Sequence, residues 1–305
     1  EWRSGVALVT CGVRNASVDI SMWCESESER SRHVNEDEID VNVKVKNARG
    51  KIKTSLITRQ KIKNPTVPFY ELLSDDIGYI KLTQFKRKSS KEVYEAIKDL
   101  ETKTNQELNG IILDLRNNPG GLLGECLQIV NLFVPKNDTI LMAKGKNTAW
   151  DKQYIAKKEA IYENLPVVVL INERSASASE IIAGCLQDLD RGVVIGRTSF
   201  GKGLIQQNQK ISYNTQLKLT VAKYYTPSGR CIQNTKSDHS GERKIINDSL
   251  RVKFLTNNGR TVYGGGGINP DIEIDRNEYL EYILALRQNN CFFNFGNQVI
   301  DDISF

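Results

Sequence analysis

An α/β fold with a largely parallel core sheet is predicted by three features of this sequence. Short apolar runs alternate with stretches of helical spacing, the runs are rich in β-branched residues, and proline, glycine or asparagine closes them. Residues 167–171 (VVVLI), between Pro166 and Asn172, have the length and composition of a strand buried on both faces. Residues 172–175 supply a turn, and residues 176–189 follow with apolar residues at Ile181, Ile182, Cys185, Leu186 and Leu189, the spacing of an amphipathic helix. A second buried strand, residues 192–195, leads into a loop that sets Lys202 between two glycines.

The remaining elements follow in order. Residues 6–9 are apolar, and the Ser/Glu/Arg-rich run 25–32 is expected to be solvated. Val41, Val43 and Val45 alternate with polar residues, residues 47–50 turn, and residues 52–57 continue as a second strand. Pro65 and Pro68 mark a linker. Residues 77–85 read as a strand, 92–100 as a helix, and 110–115 (GIILDL) as a buried strand ending in the turn RNNPGG at 116–121. Residues 122–133 have helical spacing, and the polar, lysine-rich residues 136–164 read as a surface excursion. Residues 216–225 alternate as a strand and 226–229 turn out of it. The polar run 234–249 reads as an insertion or mobile loop. The glycines 264–267 precede Pro270 and no helix, so they read as a strained turn. Residues 277–287 read as a short helix, and the apolar end CFFNF is expected to pack on the core or on a second subunit.

With 305 residues, 39% hydrophobic and 26% charged, the chain is long enough to bury a substantial core. Its net charge of +5 is spread over scattered lysines, which excludes a nucleic-acid footprint. Cys11, Cys24, Cys126, Cys185, Cys231 and Cys291 are widely separated, with no CxxC pair, so neither a zinc site nor a dense disulfide framework is expected. Cys126 and Cys185 fall on apolar helix positions and read as core residues. No run of 18 uncharged apolar residues exists, so no transmembrane segment is expected. No signal peptide is seen, but the chain opens with Glu1, so that criterion leaves the compartment undecided.

Two chemistries fit the central stretch. Residues 196–203 (GRTSFGKG) nearly match a phosphate-binding loop, but Gly203 stands where a hydroxyl residue should hold magnesium, and the following GLIQQNQKI reads as strand. The alternative is a serine hydroxyl activated by a lysine amine. A serine at a strand-to-helix turn has first-turn N–H groups beside it to stabilise an oxyanion. The only histidines, His33 and His239, lie in polar, turn-like surroundings, so a Ser-His-Asp triad has no base here. A lysine serves as base only when neutral, which burial favours, so Lys202 is expected in a dry site, its stem packed by Gly201 and Gly203. Residue types alone leave Ser175, Ser177 and Ser179 open, and helix N-capping would explain such serines equally. Asp114, inside an apolar strand, needs a partner such as Arg116 or a loop N–H. Asp188, at the unfavourable end of the helix, needs a partner such as Arg191.

At SASASEIIAGCLQD and GRTSFGKGLIQQ the chain resembles the carboxy-terminal processing proteases, the tail-specific Ser-Lys peptidases of family S41. The resemblance implies Ser177 as nucleophile, Lys202 as general base and Gln206 as the residue orienting the lysine. It also implies that the LRxNPGG turn donates an oxyanion-hole amide, from Gly120 or Gly121, partnered by Ala178.

The fold it implies is the ββα-repeat core shared with crotonase-like and Clp-type proteins. The expected organisation is a partial or degenerate PDZ-like region at 1–64, a peptidase core at 65–275 and a helical tail at 276–305. The PDZ-like hairpin lacks, in residues 1–40, the glycine-containing loop that would bind a peptide carboxylate. The implied activity is cleavage of proteins near apolar C-terminal tails in a bacterial cell envelope, without metal or cofactor. Two other readings are open: a binding or scaffolding protein that keeps the peptidase core without turnover, and a crotonase-like acyl-CoA enzyme, for which no acidic catalytic pair is seen.

Overall fold

The computed structural model describes residues 20–22, 40–46, 52–58, 64–74, 76–104, 107–212, 215–237, 243–245, 251–275 and 281–300. The chain divides into two compact units, one of Asn64–Asp275 and one of Glu1–Lys63 with Arg276–Phe305. The sequence readings at 6–9, 25–32 and 47–50, with His33, His239, Cys11 and Cys24, lie outside the described residues.

In the smaller unit, β1 (Ile20–Met22) pairs antiparallel with β2 (Asp40–Lys46). β2 pairs in turn with β3 (Ile52–Thr58), with Asp40 opposite Thr58 and Lys46 opposite Ile52, which is the hairpin that the valine alternation predicts.

The larger unit is built on a six-stranded sheet. Its first elements are β4 (Phe69–Leu72), β5 (Ile77–Lys81), α1 (Ser89–Lys103), β6 (Gly110–Asp114) and α2 (Leu123–Val130). Next come β7 (Thr139–Gly145), β8 (Lys152–Ile155), β9 (Val167–Ile171), α3 (Ala178–Asp188) and β10 (Gly192–Gly196). The chain continues through β11 (Leu204–Lys210), β12 (Gln216–Tyr225), β13 (Thr235–Ser237), β14 (Arg243–Ile245), β15 (Lys253–Leu255), β16 (Thr261–Tyr263) and β17 (Ile272–Glu273). Two helices, α4 (Glu281–Gln288) and α5 (Cys291–Ile300), belong to the smaller unit, and α5 exposes Phe292, Phe293 and Phe295.

The sheet order is β17-β10-β9-β6-β5-β4, and every neighbouring pair is parallel except β4 with β5. The predicted α/β class with a largely parallel core is therefore observed. Val167, Val169 and Ile171 are buried, as a strand covered on both faces requires. All of α3 is buried, and α1 turns Val93, Ala96, Ile97 and Leu100 inward, with Val93, Ile97 and Leu100 each contributing roughly 1.5–3 kcal/mol. Strands β6 and β9 run side by side with Asp114 opposite Leu170, so the segments leaving them, 115–121 and 172–177, emerge together at the carboxyl edge. Ligands of open parallel sheets bind at such an edge.

The surface excursion expected at 136–164 is not what forms. β7 and β8 join β11 and β12 in a four-stranded antiparallel sheet ordered β11-β12-β7-β8. Ile140, Leu141, Ala143, Ala156 and Tyr162 are buried. The short apolar run inside β7 outweighs the lysines around it, because burying one face of a strand needs only alternate positions. Residues 264–267 form a turn with Gly265, Gly266 and Gly267 all at positive φ, as expected of that glycine run.

Candidate active site

Ser177 stands between β9 and α3 with φ 57° and ψ −111°, a conformation few non-glycine residues adopt. Backbone of this kind persists only when its surroundings hold it, and it is enriched at reactive sites. The three serines of SASAS are separated by their partners. Ser175 is fully buried and its hydroxyl donates to the Leu115 carbonyl at 2.8 Å, while Ser179, also fully buried, donates to the Asn118 carbonyl at 3.0 Å. Both stitch α3 to the turn after β6. Ser177 alone of the three is half-exposed.

The turn at 116–121 packs directly beneath this serine. A methyl group on Gly120 would lie 2.6 Å from the Ala176 carbonyl oxygen and 2.9 Å from the Ala178 nitrogen. A methyl on Gly121 would lie 2.1 Å from the Phe85 carbonyl oxygen, so both positions require glycine. The Gly120 amide donates to Asn118 Oδ1 at 2.9 Å. Among the described residues, no protein acceptor takes the amides of Gly121 and Ala178, and Gly121 is exposed. Asn118 is itself anchored by its Nδ2 donating to Leu82 O.

Asp114 meets the partner predicted for it. Arg116 donates from Nε and Nη2 at 2.9 and 2.8 Å, and the Tyr79 hydroxyl adds a third side-chain bond at 2.5 Å. Burial pushes the Asp114 carboxyl up, but the bonds from Arg116 and Tyr79 outweigh it and hold its pKa below the usual carboxylate value.

Lys202 lies in the loop between β10 and β11, and its side chain is exposed, not buried as its proposed role as base led us to expect. The reason is local. Gly201 and Gly203 are the buried members, packed against Asn234 and Gln233, and the Gly203 amide donates to Gln233 Oε1 at 2.8 Å. Backbone packing thus uses the inward side of the loop and leaves the lysine side chain outward. Gln206 is exposed on β11, at a register shift between Ile205 and Gln206, and no hydrogen bond joins its amide to Lys202 among the described residues. The loop runs into a strand, which removes the phosphate-loop reading.

Two residues beside Ser177 escape sequence reasoning. Glu180, fully buried, accepts from the amides of Ser177 (2.8 Å), Gly201 (2.6 Å) and Lys202 (2.9 Å) and from the Ser199 hydroxyl (2.6 Å). Its position three residues after a serine reads only as a helix cap. Tyr224 is buried on β12 near Ser177, and burial pushes its phenol pKa up to about 12.

Asp188 has a different partner from the one expected. Its Oδ1 lies 2.7 Å from Arg230 Nη2 with both side chains fully buried, and Ser228 N donates to its Oδ2. Arg191 turns instead to the carbonyls of Phe133, Tyr162 and Leu165. Cys126 and Cys185 are buried as predicted. Among the described residues, no group of three His, Cys, Asp or Glu is placed to hold a metal ion.

Fold and site together define a class: an α/β protein that presents one serine hydroxyl, with uncommitted backbone amides beside it, at the carboxyl edge of a parallel sheet. The sequence of residues 76–240 matches peptidase family S41, and the chain belongs to that family. A carboxy-terminal-processing protease of Bartonella bacilliformis is 42% identical over 178 residues, covering 58% of this chain and 40% of that protein. A carboxyl-terminal-processing protease of Synechocystis is 44% identical over 151 residues, covering 50% of this chain and 34% of that protein. These matches thus span well under half the length of either relative. Among solved structures, the photosystem II D1 C-terminal processing protease superposes with a TM-score of 0.53 at 26% identity, over 79% of this chain and 56% of that one.

Proposed function

We propose that this chain is a serine endopeptidase in which Ser177 is the nucleophile and Lys202 the general base, cleaving proteins near apolar C-terminal tails. The observation that carries the reading is the segregation of the three serines: two hydroxyls are spent on backbone carbonyls, and the third stands half-exposed at the head of α3 beside free amides. Neutral Lys202 takes the proton from Ser177 Oγ, which attacks the scissile carbonyl. The amides of Ala178 and Gly121 receive the oxyanion; Gly120 is the weaker of the two glycine candidates, since its N–H is engaged by Asn118. The Lys202 ammonium then gives its proton to the leaving amine, and water hydrolyses the acyl-enzyme. Gln206 orients the amine once substrate is bound. Lys202 is exposed in the free chain, so this reading requires the bound peptide to cover it.

A cavity of about 380 Å³ lies beside Gln206, with apolar walls from Ala143, Trp150 and Ile205 and polar ones from Asp151, Lys152 and Gln207, so the apolar preference is carried by the family resemblance and not by this cavity. Within the same proposal, the larger unit is a ββα-repeat core, the segment before it a reduced PDZ-like module, and the site of action the bacterial cell envelope. Among the described residues, no helix is long and apolar enough to cross a membrane.

The test is degradation of an internally quenched peptide with an apolar C-terminus. Ser177→Ala and Lys202→Ala each abolish cleavage while leaving the circular dichroism spectrum unchanged; turnover retained by either folded variant removes the assignment.

A further inference from the structure

We infer that Glu180 is the positioning residue that fixes the nucleophile and the base relative to one another, by accepting hydrogen bonds from the backbone amides of both Ser177 and Lys202 on a single carboxylate oxygen. The inference rests on the Ser-Lys reading above. Its first ground is geometric. Oε2 takes Ser177 N at 2.8 Å and Lys202 N at 2.9 Å, while Oε1 takes Ser199 Oγ at 2.6 Å and Gly201 N at 2.6 Å. Capping α3 needs only the first of these bonds. The other three cross to a loop 19 to 22 residues away in sequence, so they set where that loop stands.

The second ground is the chemistry of the group. All four partners are donors, and Ser199 passes the link onward by accepting from Ile268 N at 2.7 Å. Among the described residues, no cation pairs with this fully buried carboxylate. Such a group is costly to bury unless each lone pair is used. Burial pushes its carboxyl up, and the bonds from Ser199, Lys202, Gly201 and Ser177 offset only part of that rise. A carboxylate can satisfy four donors, whereas an amide of the same shape would aim its own N–H groups at two of them. The network therefore demands a carboxylate where a simple cap would accept glutamine.

The experiment compares Glu180→Gln with the parent chain on the same quenched peptide, with melting temperature read in parallel. The expected result is a kcat lower by about 100-fold with KM within about threefold, since an error near 1 Å in a reacting pair costs about that much. Arg191→Met, which breaks bonds to three carbonyls outside this network, is the control for instability and keeps its kcat at a comparable loss of melting temperature. A folded Glu180→Gln with kcat within threefold of the parent overturns the inference, as does an equal kcat loss in the control. Should Glu180→Gln not fold, Ser199→Ala decides: a fall in kcat of fivefold or more at unchanged KM supports the role, and a kcat within twofold overturns it. Ser177→Ala keeps the two readings apart, because turnover without that hydroxyl sinks the dyad, whereas an inert Ser177→Ala beside a normal Glu180→Gln sinks this inference alone.

Discussion

Replacing Gly120 by alanine tests how closely the turn after β6 supports Ser177, the proposed nucleophile. The added methyl would sit 2.6 Å from the Ala176 carbonyl oxygen, about 0.8 Å short of the 3.4 Å at which ordinary contact begins, and 2.9 Å from both Ala178 N and Ser177 Cβ. All three neighbours belong to residues 176–178, the elbow between β9 and α3, and two of them are backbone, so they cannot swing aside as a flexible side chain would. Gly120 also sits at φ 94°, which strains any residue with a Cβ by roughly 1–3 kcal/mol. Relief has to come from moving the elbow away from the turn by most of an ångström. A displacement of that size at a reacting group costs on the order of 100-fold in rate. Gly120→Ala should therefore lose about 100-fold in kcat/KM on a quenched tail peptide while still unfolding cooperatively in urea, with a stability loss of roughly 1–3 kcal/mol. A folded variant with kcat/KM within threefold of the parent would refute the argument that the turn and the elbow share one rigid contact.

Three further outcomes follow from the buried charges and thiols. Because the Asp114 carboxyl is held below its ordinary pKa, it adds stability above the unfolded-state value of about 3.9, and that stability is lost as pH falls through the folded pKa. Asp114→Asn should flatten the decline of the melting temperature below about pH 4, and an unchanged acid slope counts against the assignment. Arg230→Met leaves Asp188 buried without its cation, at a cost of about 3–5 kcal/mol by urea unfolding, and adding Asp188→Leu should recover most of it. Cys126 and Cys185 are both fully buried, and burial pushes both thiols up. Mass mapping after maleimide treatment of the folded chain should leave both unlabelled, and rapid modification of either would contradict the packing of α2 on α3.

The parallel sheet was legible because its strands are short, β-branched and closed by proline, glycine or asparagine, and because α3 repeats apolar residues at helical spacing. Ser177 and Lys202 stood out as candidates because the residues around each form a contiguous pattern. What stayed hidden has its cause in residues distant along the chain. Glu180 draws its meaning from Ser199, Gly201 and Lys202, which no local pattern connects to it. Arg191 lies three residues from Asp188 and looked like its partner, yet the fold brings Arg230 from 42 residues away and spends Arg191 on three carbonyls. The exposure of Lys202 follows from which face of its loop the neighbouring glycines pack, and sequence gives no sign of that choice. β7 was missed because lysines on either side of it masked the buried positions Ile140, Leu141 and Ala143.

The most direct test is to find which oxygen becomes acylated. An activated ester with an apolar acyl group, quenched in acid within the first turnover and mapped by peptide mass spectrometry, should leave one acyl group, on Ser177, and none when Lys202 is alanine. An adduct on Ser175 or Ser179, or undiminished labelling of Ser177 without Lys202, would contradict the assignment of nucleophile and base.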